Sequence, residues 1–536
     1  MIKSISKKTV SLFLFIIILL SVFFTFYKPV IGFPCLNADE AAFGYNAYSI
    51  LKTGKDEYGI STPLRLKSFA DNKLPLYSYL SMPFIKIFGL NEFSTRLVSN
   101  IAGILIVLAV FFLTRSLFEN NIISLIASFL TALSPALYLL SRQAHEGVLA
   151  SLFILLSLIF LIKFSKTKKS LWLMIGNLSV VAATFSYHTG RFFILIYLAI
   201  LLVMLKKNIR KNLATLLITF FILLVPFIID FKLGAGRVNN LLFIKNPGFS
   251  MRIAEYRGEH PTRLWHNKLT EGVWEITRKY FNQLSPEFIF ITGDANPRFG
   301  YPGISPVTVI EYIFLFVGLY FLFKNKEKNR VLIIWLFLVS PATSILTWQE
   351  ASINRSQIFF FFLEIITAYG IFSLLKTVKK TSINTFIIIF VLAIYLFFAA
   401  RSWDIYFFHY PKRALVERAW QCGYKDLVNY VKINYGRFDR FVITERHGQP
   451  YIFFLYYLGF DPMIYQKQAQ LSLPDEYGFG QVEKFDKFSF KFNFDPKMKK
   501  TLFVGYPDQF NNANINVSKV IKIKYENEEI FWLYEN

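Results

Sequence analysis

Long apolar runs alternate along this chain with short polar breaks, and most of the runs approach membrane length. A helix needs about 20 apolar residues to cross a hydrocarbon core of about 30 Å. By that measure about eleven spans are expected, at roughly 9–27, 96–117, 122–140, 147–164, 171–187, 191–205, 213–231, 306–323, 331–347, 357–375 and 383–400. Lys3, Lys7 and Lys8 precede the first run as in a signal peptide, but no small-residue cleavage site is evident and the run is long, so an uncleaved span is expected. Beyond residue 400 the apolar runs shorten, and charged residues, Asn and Gly return. There Tyr424 to Val431 has helical spacing, and Phe438 to Thr444 alternates like a strand. Residues 519–525 and 529–535 flank Glu526-Asn527-Glu528 like a hairpin. The expected fold class is an α-helical polytopic membrane protein with a small C-terminal α/β extracytoplasmic domain. The membrane domain covers 1–400, with outer loops at 28–95 and 232–305, and the soluble domain covers 401–536.

Composition supports the membrane reading. Hydrophobic residues make up 54% of 536 positions, with 61 Phe and 29 Tyr against 18% charged residues, more apolar surface than one water-soluble core absorbs. The net charge of +24 would suggest nucleic acid in a soluble protein, but much of the Lys and Arg lies in short clusters between apolar runs. Topology explains those clusters better, and no nucleic-acid partner is expected. With the amino terminus in the cytoplasm, the positive-inside rule places Lys163/Lys166/Lys168/Lys169, Lys206/Lys207/Arg210/Lys211, Lys324/Lys326/Lys328/Arg330 and Lys376/Lys379/Lys380 inside. The same alternation sends 28–95, 141–146, 187–190, 232–305, 348–356 and everything after 400 outward, and an even number of spans would break the agreement. The two cysteines, Cys35 and Cys422, exclude a disulfide framework and a thiolate cluster; one bridge between them stays open.

Candidate chemistry gathers on the outer face. Asp39, Glu40, Lys73 and Tyr77 lie in the first outer loop, followed by Arg142, His145 and Glu146, then Tyr187, His188 and Arg191, then Asp294 and Arg298, then Glu350, Asn354 and Arg355. The spans are almost clean of charge, Glu364 being the main central exception, whereas an ion pump carries ionisable groups at mid-membrane depth. Each group also has a plainer explanation. Asp39 and Glu40 can cap a helix over Ala41 to Leu51, and Pro75 can start another. Arg142 and Glu146, spaced i, i+4, can pair on a helix end, while Arg191 and Arg355 can anchor to lipid phosphates. His145 and His188 can be satisfied polar residues. Absent motifs narrow the field: there is no phosphate-binding Gly-rich loop, no His-Glu-x-x-His, no Gly-x-Ser-x-Gly and no Asp-x-Asp clamp for a nucleotide sugar.

The motifs Asn37-Ala38-Asp39-Glu40-Ala41-Ala42-Phe43-Gly44-Tyr45-Asn46-Ala47, Thr53-Gly54-Lys55-Asp56-Glu57-Tyr58-Gly59 and Lys73-Leu74-Pro75-Leu76-Tyr77 come first. Phe88-Gly89-Leu90, Ser94-Thr95-Arg96-Leu97, Ser141-Arg142 with Glu146, Phe288-Ile289-Phe290 with Gly293-Asp294, and Asn354-Arg355-Ser356 follow. In this order they resemble the GT-C type integral-membrane glycosyltransferases of the family 39/83 group, which includes protein O-mannosyltransferases and lipid A aminoarabinose transferases. The resemblance covers about the first 400 residues. It implies inverting transfer of a monosaccharide from a polyprenyl-phosphate donor to a protein, glycolipid or envelope polymer outside the cell membrane. It further implies Asp39 as general base with Glu40 beside it, and Lys73 on the donor phosphate. Tyr77, Arg142, Glu146, His188, Arg191, Asn354 and Arg355 would complete the phosphate and sugar pocket. Aminoarabinose transferases carry a metal-associated glutamate just before the motif lysine, where this chain has Asn72, so no metal and no other cofactor is expected. The rival classes are a transporter or flippase for a lipid-linked sugar, and a binding scaffold built on 401–536.

Overall fold

The computed structural model describes all residues except 1–5, 28–33, 70, 207–212, 233–241, 261, 302, 447, 474–479, 481, 512–514 and 527, and leaves out the side chains of 71 and 230–232. Lys3, Lys207, Arg210, Lys211 and Asn527, named above, lie outside the described residues. The chain divides into two compact units, one of residues 1–27 with 99–407 and the other of 28–98 with 408–536.

The first unit is helical. The expected spans are helical in the structure, those at 122–140 and 331–347 each as two helices, and six helices among the described residues are long and apolar enough to cross a membrane: Lys7–Phe26, Glu92–Phe118, Glu146–Thr167, His188–Leu205, Ile353–Thr377 and Thr381–Lys412. Asn121–Leu133 and Pro135–Ser141 become a seventh if counted as one span bent by 52°. Pro135 accounts for the bend, because its ring and missing N–H break the helical ladder. Pro306 uses the break, its carbonyl accepting from Ser134 Oγ (3.2 Å) and from the Ala136 N–H (3.2 Å). Ser170–Ser186, Leu213–Ile229 and Arg330–Ile345 are shorter apolar helices. The expected run at 306–323 forms the helix Val309–Lys324, started by a capping box between Thr308 and Glu311. It packs on Ile353–Thr377 so closely that a Cβ on Gly318 would stand 2.1 Å from the Ile366 carbonyl oxygen. The protein is thus an α-helical polytopic membrane protein.

The second unit carries the expected α/β domain. Its seven-stranded mixed sheet includes β3 (Arg440–Ile443), β4 (Gln470–Leu471), β5 (Val482–Phe485), β6 (Phe488–Ser489), β7 (Thr501–Gly505), β8 (Ile521–Tyr525) and β9 (Glu528–Glu535), in the order β4-β5-β6-β3-β7-β9-β8. Only β3 runs parallel to its neighbours, β6 and β7. Alternation builds two cores from one sheet. Phe441 and Ile443 of β3 and Phe531 and Leu533 of β9 meet helices Tyr424–Asn434 and Pro450–Leu458 on one face. Val442, Phe503 and Trp532 meet Phe492, Phe494 and Phe510 on the other. The expected hairpin is β8 and β9, joined through Glu526.

The first outer loop, residues 28–98, belongs to this unit together with 408–536. Leu36 and, from helix Ala38–Thr53, Ala38, Ala41, Ala42 and Tyr45 enter the same apolar core as Tyr451, Ile452 and Leu455, so the first outer loop packs with the C-terminal domain. A disulfide joins Cys35 to Cys422, with Cα atoms 5.4 Å apart. Gln421 Oε1 accepts from the Ala38 N–H (2.9 Å), and the Tyr45 hydroxyl donates to the Phe460 carbonyl (3.1 Å). A strand pair, β1 (Leu66–Ser68) with β2 (Asp71–Lys73), completes the loop. Contact is closest at Gly44, where a Cβ would lie 2.6 Å from Tyr456 Cε2 and 2.7 Å from Thr95 Oγ1. Gly44→Ala is therefore expected to destabilise the second unit by about 1–3 kcal/mol through overpacking. Thermal denaturation in detergent checks it, and an unchanged midpoint would contradict the packing.

Candidate active site

The site is best built from the start of helix Ala38–Thr53. Asn37 caps it, its side chain accepting from the Glu40 N–H (3.2 Å) while Glu40 Oε2 accepts from the Asn37 N–H (3.1 Å). Glu40 does more than close this box. Arg96 donates to it through Nε (2.7 Å to Oε1) and Nη2 (2.8 Å to Oε2), and both side chains are almost fully buried. The same guanidinium reaches the Pro34 carbonyl (2.9 Å) and the Cys35 carbonyl (3.1 Å). Glu40, expected beside the base in a catalytic role, is held in a structural pair and a helix cap.

Asp39 is placed differently. One residue earlier in the first turn, its side chain is 50% exposed, and its Oδ1 lies 2.6 Å from Lys73 Nζ. The structure therefore brings together the acid and the base that the first outer loop separates by more than thirty positions. Lys73 ends β2 opposite Leu66 and is itself only 7% exposed. Its ammonium stands 5.0 Å from the Phe43 ring centroid and 4.7 Å from that of Phe69, both cation–π distances. Phe69 has φ 58°, a left-handed conformation rare for an aromatic residue, in the turn between β1 and β2. Asn72 lies on β2 opposite Lys67. Tyr77, expected on the donor, is fully buried instead, its hydroxyl donating to the Thr95 carbonyl (3.0 Å) and its ring 5.1 Å from Phe43.

A second acidic pair lies behind. Asp56 Oδ1 accepts from the N–H groups of Tyr58 (3.0 Å) and Ile60 (2.8 Å), closing a turn. Burial raises its carboxyl pKa, and these backbone bonds oppose the rise. Glu57 is also buried, accepting from the Tyr451 hydroxyl (2.9 Å) and Asn46 Nδ2 (3.1 Å) while its own N–H donates to Asn46 Oδ1 (3.0 Å). Burial pushes its carboxyl up to about 8, against the hydrogen bond from Tyr451 and the charge of Lys73. Both acids stand in a motif quoted above, yet nothing in spacing marked Glu57 as inward-facing; its partner Tyr451 lies almost four hundred residues away. Arg96 was likewise visible, as a lone cation opening an apolar helix, but its partner was not.

The remaining expected residues belong to the first unit. Arg142 is fully buried, and its Nη1 donates to the carbonyls of Phe24 (3.0 Å) and Thr25 (2.7 Å), closing the C-terminal end of helix Lys7–Phe26. Its guanidinium lies 4.7 Å from the Phe407 ring. Arg142 follows one helix and Glu146 begins the next, so they do not share the helix face that i, i+4 spacing suggested. His145 caps that second helix, its Nδ1 accepting from the Gly147 N–H (3.0 Å), with its ring 5.9 Å from Tyr187 and 5.6 Å from Phe299. His188 and Arg191 lie in the first turn of His188–Leu205. Asn354 and Arg355 open Ile353–Thr377, where Asp294 Oδ2 accepts from the Ile353 N–H (2.8 Å) and Ser352 Oγ (2.9 Å). Asp294 thus places its carboxyl group at a helix N-terminus. Burial raises its pKa, opposed by those bonds and by Arg355. Glu350 Oε1 pairs with Arg278 Nη2 at 2.6 Å. Loops 141–146, 187–190, 294–299 and 352–355 therefore meet at one end of the helical unit.

The buried pair gives a direct test. Arg96→Met takes the balancing cation from the buried Glu40 carboxylate, an expected loss of about 3–5 kcal/mol. Adding Glu40→Gln should restore part of it, because the orphaned charge is then gone. Denaturation of both variants reads the difference, and equal losses would contradict a buried ion pair.

Comparison with known proteins adds to this geometry. The family model described as dolichyl-phosphate-mannose-protein mannosyltransferase matches residues 72–229. No curated protein sequence matches the chain. Among solved structures, ArnT from Cupriavidus metallidurans bound to undecaprenyl phosphate superimposes with a TM-score of 0.54 at 11% identity, covering 99% of this chain and 98% of that one. The Archaeoglobus fulgidus oligosaccharyltransferase tethered to an acceptor peptide with the NVT sequon gives 0.50 at 15% identity, over 84% of this chain. The same archaeal protein, AglB, in complex with an inhibitory peptide and a dolichol-phosphate, gives 0.50 at 14% identity, again over 84% of this chain. The chain spans 63% of the length of the first of these archaeal structures. At such identities the likeness concerns the fold. Together with the family match over 72–229, it gives this chain the GT-C fold of the membrane glycosyltransferases that its motifs resemble.

Proposed function

We propose that this protein is an inverting glycosyltransferase that moves one sugar from a polyprenyl-phosphate donor to a hydroxyl of a protein, glycolipid or envelope polymer. The reaction takes place at the outer face of the cell membrane, with the amino terminus cytoplasmic and the C-terminal domain extracytoplasmic. The observation that carries the reading is the contact of half-exposed Asp39 with enclosed Lys73 at 2.6 Å. A carboxylate that accepts a proton and a cation that holds a phosphate then stand one hydrogen bond apart. The family description and the lipid phosphates named for ArnT and AglB support a lipid-linked donor.

The chemistry follows from the pair. The donor phosphate takes the Lys73 ammonium, and Asp39, freed of its partner, accepts the proton of the acceptor hydroxyl. That oxygen forms the new bond to the anomeric carbon as the bond from carbon to phosphate oxygen breaks, and the polyprenyl phosphate leaves with the bonding electrons. Negative charge grows on the leaving phosphate, so a cation fixed there in an apolar box lowers the barrier. Lys73 serves as that cation and Asn72 supplies no carboxylate, so the reading requires no metal. Glu40 and Arg96 act one step removed, by fixing the turn that carries Asp39.

Asp39→Asn should lower transfer by about 10²–10⁴-fold, the range for loss of a general base, without weakening donor binding, since the carboxylate that competes for Lys73 is removed. Transfer at the wild-type rate in that variant would sink the assignment. Lys73→Gln should weaken donor binding by about ten- to a hundredfold, as expected for a lost hydrogen bond to a charged group. Equilibrium binding of a polyprenyl-phosphate sugar checks it, and unchanged affinity would remove Lys73 from the phosphate.

A further inference from the structure

The stretch between the apolar helices Leu213–Ile229 and Val309–Lys324 carries a helix turned inside out. Helix Lys268–Gln283 buries Glu271, Glu275, Lys279 and Gln283, and exposes Leu269, Val273, Trp274 and Phe281. The buried four recur every four residues, and Leu269, Val273 and Phe281 keep the same spacing on the opposite face, so the helix has one polar and one apolar stripe. In a water-soluble protein the polar stripe faces outward. Here its partners lie within the helical unit. Glu275 pairs with Arg252 (3.2 Å) and Arg278 (2.8 Å), and Lys279 donates to the carbonyls of Thr347 (2.6 Å) and Gln349 (3.2 Å). Gln283 Nε2 donates to Ser356 Oγ (2.9 Å). The apolar stripe is left uncovered, Leu269 at 75%, Trp274 at 63% and Phe281 at 67% exposed. A contiguous apolar face of this kind marks an interaction surface.

Three observations identify what covers it. The Tyr280 hydroxyl donates to the Leu338 carbonyl (2.9 Å), well before the end of the apolar helix Arg330–Ile345, so Lys268–Gln283 lies alongside that helix. Leu338 is itself an exposed apolar residue there, and the stripe therefore continues the lipid-facing surface of the membrane helices. Trp274 and the exposed Trp265 belong to the residue type that favours the boundary between hydrocarbon and head groups. Exposed Arg263 and Lys268 flank the start of the helix, where they suit lipid phosphates. We propose that Lys268–Gln283 lies in the plane of the membrane, its apolar stripe set into the interfacial layer of a phospholipid leaflet and its polar stripe clamping residues 347–356. Arg278 (2.6 Å) and Asn282 (3.3 Å) hold Glu350 while Gln283 holds Ser356, so the bilayer seats the loop that opens Ile353–Thr377, Asn354 and Arg355 included. The inference stands apart from the transfer chemistry, since it needs neither Asp39 nor Lys73.

The test uses the full chain in phospholipid nanodiscs. Cys35 and Cys422 are joined to each other, so Val273→Cys offers a single thiol for a bimane label. Phospholipids brominated near the top of their acyl chains should quench the label roughly twofold or more, because an interfacial helix sits about 5–10 Å into the boundary layer. Iodide in the buffer should quench it little. Quenching by iodide and not by bromine means that the stripe faces water, and quenching by neither means that another protein surface covers it; either result overturns the proposal. The clamp has its own readout. Val273→Asp with Trp274→Asp should speed hydrogen exchange of 347–356 by roughly ten- to a hundredfold, the factor given by one apolar side chain lost from apolar surroundings. Helix Glu146–Thr167 should keep its wild-type rate, which shows that the variant is folded, and Val273→Leu with Trp274→Phe should exchange like wild type. Unchanged exchange of 347–356 in the charged variant overturns the seating of that loop by the bilayer.

Discussion

The buried pairing of Arg96 with Glu40 is the constraint on which the second unit depends. Two nearly inaccessible charges at 2.7 Å are tolerable only because each hydrogen-bonding group is used: the guanidinium bridges the carboxylate and two backbone carbonyls, and the carboxylate also closes a capping box. Such an arrangement leaves one geometry for the chain from Pro34 to Glu40. It therefore decides where the next carboxylate points. Asp39 faces the exposed side of the same helical turn because Glu40 is tied to the inside. Two adjacent acids with the same intrinsic chemistry are given different surroundings and partners by the fold.

Lys73 shows the same logic with the sign reversed. A solvated loop lysine is a weak, mobile cation, whereas this one is enclosed by Phe43 and Phe69 and reaches a carboxylate with its ammonium. Its stem is fixed by the short β1–β2 pair, and one wall of its box requires Phe69 to adopt a left-handed backbone conformation. A local backbone cost of about 1–3 kcal/mol at such a residue persists only where the surroundings impose it. Here they do, because Phe69 also packs edge-on against Tyr451, with ring centroids 5.9 Å apart.

The helical unit makes a different use of its polar residues. Arg142, His145 and Asp294 each close the end of a helix, supplying donors or acceptors that the backbone lacks there. Buried helix ends without partners are costly, so residues gathered at one end of a bundle need not all serve chemistry. Their position in loops on one face was readable from the apolar spacing and the basic clusters. Their use as caps was not, because capping depends on which carbonyl or N–H arrives opposite, and Arg142 meets the end of a helix more than a hundred residues earlier.

Sequence alone determined the membrane character, the helical segments, the strand near 440 and the final hairpin. Those follow from local composition, period and motif order, which need no knowledge of distant partners. Tertiary structure decided the rest. It joined Cys35 to Cys422 and moved the first outer loop into the core of the C-terminal domain. It also gave Asp39 and Glu40 different partners, and set Glu57 against Tyr451. Each is a contact between residues far apart in the chain. An ionisable group takes its role from burial and partners, and only the folded chain supplies these.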